Sequence, residues 1–354
     1  MLSRPDDKSA PKAYYKNGDV HGPGESAAHI NPSAPYAEPE LHPDDVPTSA
    51  MRKNKISRIP PRRLAFCGGG VRCVAHVGVM KAMRDANLLS CVKEMMGISA
   101  GSFFALLFVL GYTIDQIERL ALDFDFTVLG VVDPEDILMF HLNFGLNSGD
   151  GIDKLISSVL RQKGFSVDVT FAELAKRAEI DFRCFATELQ KSAVKEMSAA
   201  TTPNMSVRVA VRASMSLPIM YAPVKDGDSL LVDGGLLHNL PLVFLSEEEI
   251  RESWGVLFIT GQREVAPVEG VIDVFKFIYD GLVIMRNLPC IARFKERLIV
   301  IKTDEYNTFN FEETRESRAQ LIHDARVQTE AFIFDRGASV KGCTTSRARR
   351  FSCA

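Results

Sequence analysis

An excess of either charge is missing from this sequence. Its 354 residues carry 42 Lys and Arg against 45 Asp and Glu, a formal net charge of −3, and so give no electrostatic basis for holding nucleic acid. Paired cysteines are missing too. The seven, Cys67, Cys73, Cys91, Cys184, Cys290, Cys343 and Cys353, form no C-x-x-C. That excludes a zinc ribbon, argues against a disulfide framework and points to a reducing, cytoplasmic setting. No spacing of metal ligands is visible, and no cleavable apolar leader opens the chain. One uncharged run, the 20 residues Met95–Ile114, is long enough to suggest a membrane span. It holds Gly97, Ser99, Gly101, Ser102 and Gly111, however, and divides into a strand, a turn and a short buried helix.

What is present is unevenly placed. Eight of the 17 prolines fall in the first 47 residues, where aliphatic side chains are rare. Such a segment cannot bury enough apolar surface to offset the entropy of ordering it. Residues 1–58 are therefore expected to be a disordered proline-rich tail and basic linker. Met51–Arg63 holds six basic residues and no acid, a solvated stretch or a weak contact for anionic headgroups, worth roughly 1 kcal/mol per residue. Residues 336–354 carry five basic residues, no acid, and Cys343 and Cys353. They are expected to form a second, basic disordered tail, with S-acylation as a further option.

Between the tails, residues 59–335 have the composition of a core. β-like runs at Arg63–Cys67, Val92–Met96, Asp181–Thr187, Val194–Ala199, Leu230–Val232, Val256–Thr260 and Arg297–Lys302 alternate with helical ones. The helical runs are Val71–Leu88, Ala100–Gly111, Val271–Met285 and Glu312–Phe334. This alternation predicts an α/β domain on a largely parallel sheet. Thr113 and Gln116 have the spacing of a capping box, which starts one more helix.

Three short motifs carry chemistry. Gly97-Ile98-Ser99-Ala100-Gly101 is a GxSxG between a buried strand and an apolar helix, the setting of a nucleophile elbow. It is equally open to being a plain strand-to-helix turn. Cys67-Gly68-Gly69-Gly70-Val71-Arg72 can turn backbone N–H groups toward one point, as an oxyanion requires. A dinucleotide fingerprint fits it less well, because the third glycine position is Cys73 and the next strand ends in the GxSxG. Leu231-Val232-Asp233-Gly234-Gly235 brings a carboxylate to a strand end, where a serine nucleophile would need a base.

Together these motifs resemble the patatin-like phospholipase family. The likeness extends to Ala75-His76-Val77-Gly78-Val79, Phe144–Gly151, Thr170–Leu174, Phe185–Leu189, Arg212–Pro218, and Asn239 with Pro241, in order over residues 62–245. The resemblance implies a three-layer α/β/α sandwich with a mostly parallel central sheet. It also implies a lipid acyl hydrolase of the phospholipase A or lysophospholipase type. Ser99 would be the nucleophile and Asp233 its base, with no histidine and no cofactor. Gly68, Gly69, Gly70, Arg72 and Ala100 would form the oxyanion hole, and Gly97, Gly101, Gly234 and Gly235 would shape the turns. The expected partners are a phospholipid or other acyl-lipid substrate and a peripheral membrane surface.

One departure from the family pattern is Cys73, where a glycine is usual; it is harmless if it lies in the first helical turn and a strain if its φ is positive. Two alternatives stay open. One is a weak or inactive lipid-binding protein on the same scaffold. The other is a Ser–Asp–His hydrolase with His76, His141, His238 or His323 as candidate bases. The short separation of Gly70 from Ser99, one βα unit, argues against the triad fold.

Overall fold

The apolar runs become the strands of one large sheet. The structure, a computed structural model, describes residues 60–260 and 267–336 apart from 305 and 307. The expected tails, except Arg336, lie outside the described residues. The strands are β1 (Arg63–Phe66), β2 (Glu94–Ile98), β3 (Gly145–Asn147), β4 (Asp181–Glu188), β5 (Ala193–Ser198), β6 (Ile219–Tyr221), β7 (Val224–Asp226), β8 (Ser229–Asp233), β9 (Ser253–Ile259) and β10 (Leu298–Lys302). The helices are α1 (Ala75–Asp85), α2 (Ala100–Val109), α3 (Ile114–Asp123), α4 (Thr127–Gly130), α5 (Pro134–Leu138), α6 (Phe140–Asn143), α7 (Asp150–Gln162), α8 (Phe171–Arg177), α9 (Val207–Ser214), α10 (Glu247–Arg251), α11 (Val271–Phe294) and α12 (Arg315–Asp335).

The main sheet runs β10-β9-β1-β2-β4-β8-β7, with β5 also on β4. From β10 to β4 every pairing is parallel. Short turns join β4 to β5 and β7 to β8, so these pairs are antiparallel, and β8 also runs antiparallel to β4 after a long excursion through β5, α9, β6 and β7. The largely parallel sheet is thus the half that carries the serine, and the carboxylate comes from the antiparallel half. A small parallel pair, β3 with β6, stands apart from it.

Leu64, Ala65 and Phe66 of β1 and Trp254, Val256 and Leu257 of β9 are buried on successive positions. Strands buried on both faces need a helical layer on each side. α2 packs on β2 and β4, α9 on β4 and β8, and α12 on β10 and α1. The uncharged run resolves into the end of β2, the turn at Ser99, α2 and the start of α3. Among the described residues no helix is long and apolar enough to cross a membrane. The capping box forms: Thr113 Oγ1 accepts from Gln116 N at 3.2 Å, and Thr113 N donates to Gln116 Oε1 at 3.0 Å.

α11 outruns its expected end at Met285. It continues through Pro289 to Phe294, because an interior proline removes one helical bond while Cys290 and Phe294 beyond it are buried. Packing overrides local propensity here.

Register is fixed at the far edge of the sheet by Glu94. Its carboxylate takes Arg63 Nε at 2.9 Å from β1 and Arg183 Nε at 2.6 Å from β4, joining three neighbouring strands. These side chains are 12 to 23% exposed. Removing the shared acid takes the shortest ion pair from both half-buried arginines, leaving Arg63 only Glu252 and Arg183 only Glu196 and Glu249, each at 3.5 Å. Glu94→Ala is expected to cost about 2–3 kcal/mol in chemical denaturation, with little effect on the site at the other end of β2.

Candidate active site

Ser99 ends β2 and begins α2 with φ 53° and ψ −138°. A left-handed φ at a residue with a Cβ is strained, and the surroundings hold it there. Its N–H donates to Ser214 Oγ at 3.0 Å, and that hydroxyl is anchored on Phe185 O at 2.6 Å. Its carbonyl accepts from Ser102 Oγ at 2.6 Å. Gly97 and Gly101 leave no room for a side chain: an added Cβ would sit 2.4 Å from Ser102 Cα and 2.3 Å from Cys67 O respectively. The turn is a strained elbow, 7% exposed at Ser99, and its side chain stands at the N-terminus of α2, where negative charge is favoured.

The glycine loop packs against it. Gly70 has φ +55°, and a Cβ there would meet Thr308 O at 2.0 Å, so no other residue fits. Gly68 N–H is already engaged, donating to Asn239 Oδ1 at 3.0 Å, while Asn239 Nδ2 returns a bond to Gly68 O at 3.3 Å. Among the described residues no acceptor meets the N–H of Gly69, Gly70 or Ala100. Arg72, 6% exposed, contacts Gly69 O at 3.5 Å and Thr303 Oγ1 at 3.4 Å, and so braces the loop from behind. Cys73 falls within the 3-10 turn Gly70–Val74 and is absent from the residues with positive φ. Its thiol, pushed up by burial, donates to Cys67 O at 3.6 Å. Cys73 therefore does not strain the loop.

Asp233 closes β8 with 0% exposure. Its backbone is fixed by Asp233 N to Ser216 O at 2.7 Å and by Thr187 Oγ1, which donates to Asp233 O at 3.0 Å. Oδ1 accepts from Gly235 N at 2.7 Å and from Tyr279 Oη at 3.3 Å. Gly234 opens the short turn that brings Gly235 N–H round to the carboxylate. Oδ2 is buried with no partner of hydrogen-bond geometry. Burial drives the carboxyl from an ordinary 3.8 up to about 7, against the opposing pull of the Ser99 hydroxyl, the Gly235 N–H and the Tyr279 hydroxyl. The Ser99 hydroxyl is thus among the groups acting on this carboxyl, although no hydrogen bond of normal geometry joins the two.

Two cavities meet at Ser99. One, of about 20 Å³, is bordered by the glycine loop, Arg72, Asn239 and Tyr279. The other, of about 50 Å³, is apolar, with Phe103, Phe104, Phe126, Leu129 and Met215 among its walls. Gly70, Ser99, Leu217 and Thr308 touch both. They hold a few waters at most.

The histidines stand elsewhere. His76 is buried, stacks on Phe66 at 4.0 Å and bonds Cys67 O through Nε2 at 3.0 Å. Burial lowers its pKa to about 3, which marks a core residue. His238 meets Phe244 edge-on, and burial with the Arg286 charge lowers its pKa. His323 lies within α12, and His141 within α6. Among the described residues no histidine is hydrogen-bonded to Ser99 or Asp233, and no cluster able to hold a metal occurs. Sequence reasoning missed Tyr279, Thr303 and Thr308, which lie far from any motif, and the bonds that Ser214 and Asn239 make. The last two stand in or beside quoted segments, so a search for partners of the elbow could have raised them.

The sequence model described as "Patatin-like phospholipase" matches residues 64–245. The chain is 27% identical over 296 residues to the uncharacterized protein YqhO of Bacillus subtilis, covering 76% of this chain and 96% of that one. It is also 27% identical over 261 residues to an uncharacterized protein of Acanthamoeba polyphaga mimivirus, covering 71% and 86%. Among solved structures, VipD from Legionella pneumophila is similar in fold, with a TM-score of 0.54 at 15% identity over 78% of this chain and 67% of that one.

A carboxyl raised from 3.8 to about 7 by folding binds its proton more tightly in the native than in the unfolded chain. Its contribution to stability is full below about pH 4 and lost as pH rises through about 7. Three units correspond to about 4 kcal/mol as an upper bound. Asp233→Asn should therefore match wild type near pH 4 and become progressively more stable than it by pH 8. Thermal melts across that range measure the difference.

Proposed function

The chain belongs to the patatin-like phospholipase family, a family of lipid hydrolases, and from that premise we propose that it cleaves carboxylic esters of membrane lipids through an acyl-enzyme on Ser99. The observation that carries this reading is the bare, buried Oδ2 of Asp233 beside a serine held in a strained elbow. An ordinary aspartate is too weak a base for an alcohol; desolvation supplies the missing basicity.

In the first half-reaction Ser99 Oγ bonds to the acyl carbon and its proton passes to Asp233 Oδ2. The carbonyl oxygen becomes an oxyanion, met by the N–H groups of Gly69, Gly70 and Ala100. Each such donor is worth roughly 3–4 kcal/mol to the transition state. The intermediate collapses with loss of the lipid alcohol, which takes the proton back from Asp233. In the second half-reaction Asp233 deprotonates a water that attacks the acyl-serine; the bond to Ser99 Oγ then breaks, Asp233 returns that proton to Oγ, and the fatty acid leaves. The apolar cavity on the far side of Ser99 suits the acyl chain, which enters only as its aromatic walls move apart.

The same reading makes residues 59–335 the catalytic domain and the protein a cytoplasmic one that works at membrane surfaces. It is supported by the buried free thiols of Cys67, Cys73, Cys184 and Cys290. Large exposed apolar side chains add to it: Val131, Leu138 and Leu142 after α4, and Ile278, Met285 and Leu288 on α11, the helix that carries Tyr279.

Hydrolysis of short-chain esters and phospholipid vesicles should fall by about 1,000-fold or more in Ser99→Ala and Asp233→Asn. In wild type kcat should rise with pH through a midpoint near 7. A fluorophosphonate should label Ser99. An equal loss in His238→Ala or His323→Ala, with folding intact, would move the assignment to a triad.

A further inference from the structure

Asp233 must offer one particular oxygen to Ser99, and a carboxylate can rotate. Nothing in the strand end that delivers Asp233 prevents this, since Gly235 N–H alone is a single pivot on Oδ1. The second hold comes from outside the family-matching region. Tyr279, on α11 and 6% exposed, donates its hydroxyl to the same Oδ1 at 3.3 Å. Its ring lies between Phe275, 6.0 Å away on the same helix, and Phe309, 6.2 Å away, so the hydroxyl is aimed by packing. An added Cβ at Gly235 would stand 2.6 Å from Tyr279 Oη, which shows how closely the phenol is inserted between the turn and the carboxylate.

We propose that Tyr279 is a positioning residue for the base: with Gly235 it saturates Oδ1 of Asp233, so that Oδ2 is the oxygen presented to Ser99. This rests on the Ser99–Asp233 reading above and deepens it. The phenol can only donate in this pair. Its own pKa is driven well above the ordinary 10.0 by burial and by the Asp233 charge, and an ionised carboxylate accepts only. Two donors on Oδ1 and none on Oδ2 also leave Oδ2 with the greater share of free lone pairs, which is where a proton is best received. Besides Ser99 and Tyr279, the titratable groups that sense the Asp233 charge are Cys73 behind the glycine loop and Tyr221 on β6, both neutral because burial raises their pKa. Asp280 and Arg286, flanking Tyr279 on α11, act on the phenol with opposite signs. Tyr279 is thus the group on α11 whose removal acts on the base directly.

Tyr279→Phe keeps the ring and removes the donor. The midpoint of Asp233, followed by carboxyl carbon NMR in the full chain, should move up by about one unit, since a hydrogen bond to the charged form is lost. From wild type to the variant, the pH midpoint of kcat for a short-chain ester should show the same displacement, and kcat should fall about fivefold at pH 7, with KM within about twofold. Val274→Gly, at an exposed position of the same helix, loosens it without touching the phenol or the carboxylate and should leave both midpoints in place. A Tyr279→Phe midpoint within 0.2 unit of wild type, or an equal shift in Val274→Gly, overturns the inference. Those results are separable from failure of the site itself, which shows as full ester hydrolysis by Ser99→Ala; the NMR midpoint does not depend on activity.

Discussion

A carboxylate with no exposed surface and one oxygen without a bond is costly to keep ionised, and the rest of the site is arranged around that cost. A cation beside Asp233 would have removed it, and with it the basicity. None is among the groups that lower its pKa; the serine hydroxyl, one backbone N–H and one phenol are. The guanidinium of Arg72 is turned to the glycine loop and Thr303 instead. The result is a group poised between its two protonation states near neutrality, as proton transfer in both directions requires.

The segments shared with the family do distinct physical work, and several meet at one side chain. Arg212, 4% exposed, reaches Ser148 O at 2.8 Å, Ala222 O at 3.1 Å and the hydroxyl of Ser216. It ties the turn before α7 to α9 and to the strand end at β6. Gly149, with φ +82°, is where the guanidinium passes: a Cβ would lie 1.8 Å from Nη2. That knot sets Met215 and Leu217 in the cavity walls and places Ser216 O where it takes the Asp233 N–H. The Phe144–Gly151 and Arg212–Pro218 stretches therefore belong together because one buried cation joins them.

The parts legible in the sequence were those in which the backbone makes demands on residue type. Gly97, Gly101 and Gly70 stand where a side chain collides, so their pattern exposed the elbow and the loop before any coordinates. The parallel half of the sheet was legible because buried strands are apolar without a break. In the antiparallel half β4, β5 and β8 were legible as β-like runs, whereas β7 was not, since so short a strand has little apolar signal of its own. Gly68 shows the limit of reading a loop as a list of donors: its glycine is needed because Asn239 and Ser99 press against it, and its N–H is committed to Asn239. Tyr279 and Thr308 were illegible for another reason. A tyrosine in an apolar helix and a threonine in a loop carry no local signature, and only tertiary packing gives them a place beside Ser99. Pro289 hid the last turns of α11 in the same way, because a local helix-breaker was outweighed by burial beyond it.

The bracing of the glycine loop has a bearing on how the molecule is made. The bond from Gly68 to Asn239 spans 171 residues, and that from Arg72 to Thr303 spans 231. Contacts so distant along the chain form late, after the loops between them have closed. A polypeptide still emerging from the ribosome, with Ser99, Asp233 and even Asn239 already synthesised, lacks the Arg72–Thr303 brace on its glycine loop until the last strand of the sheet is complete. Synthesis thus withholds this part of the bracing from every unfinished copy.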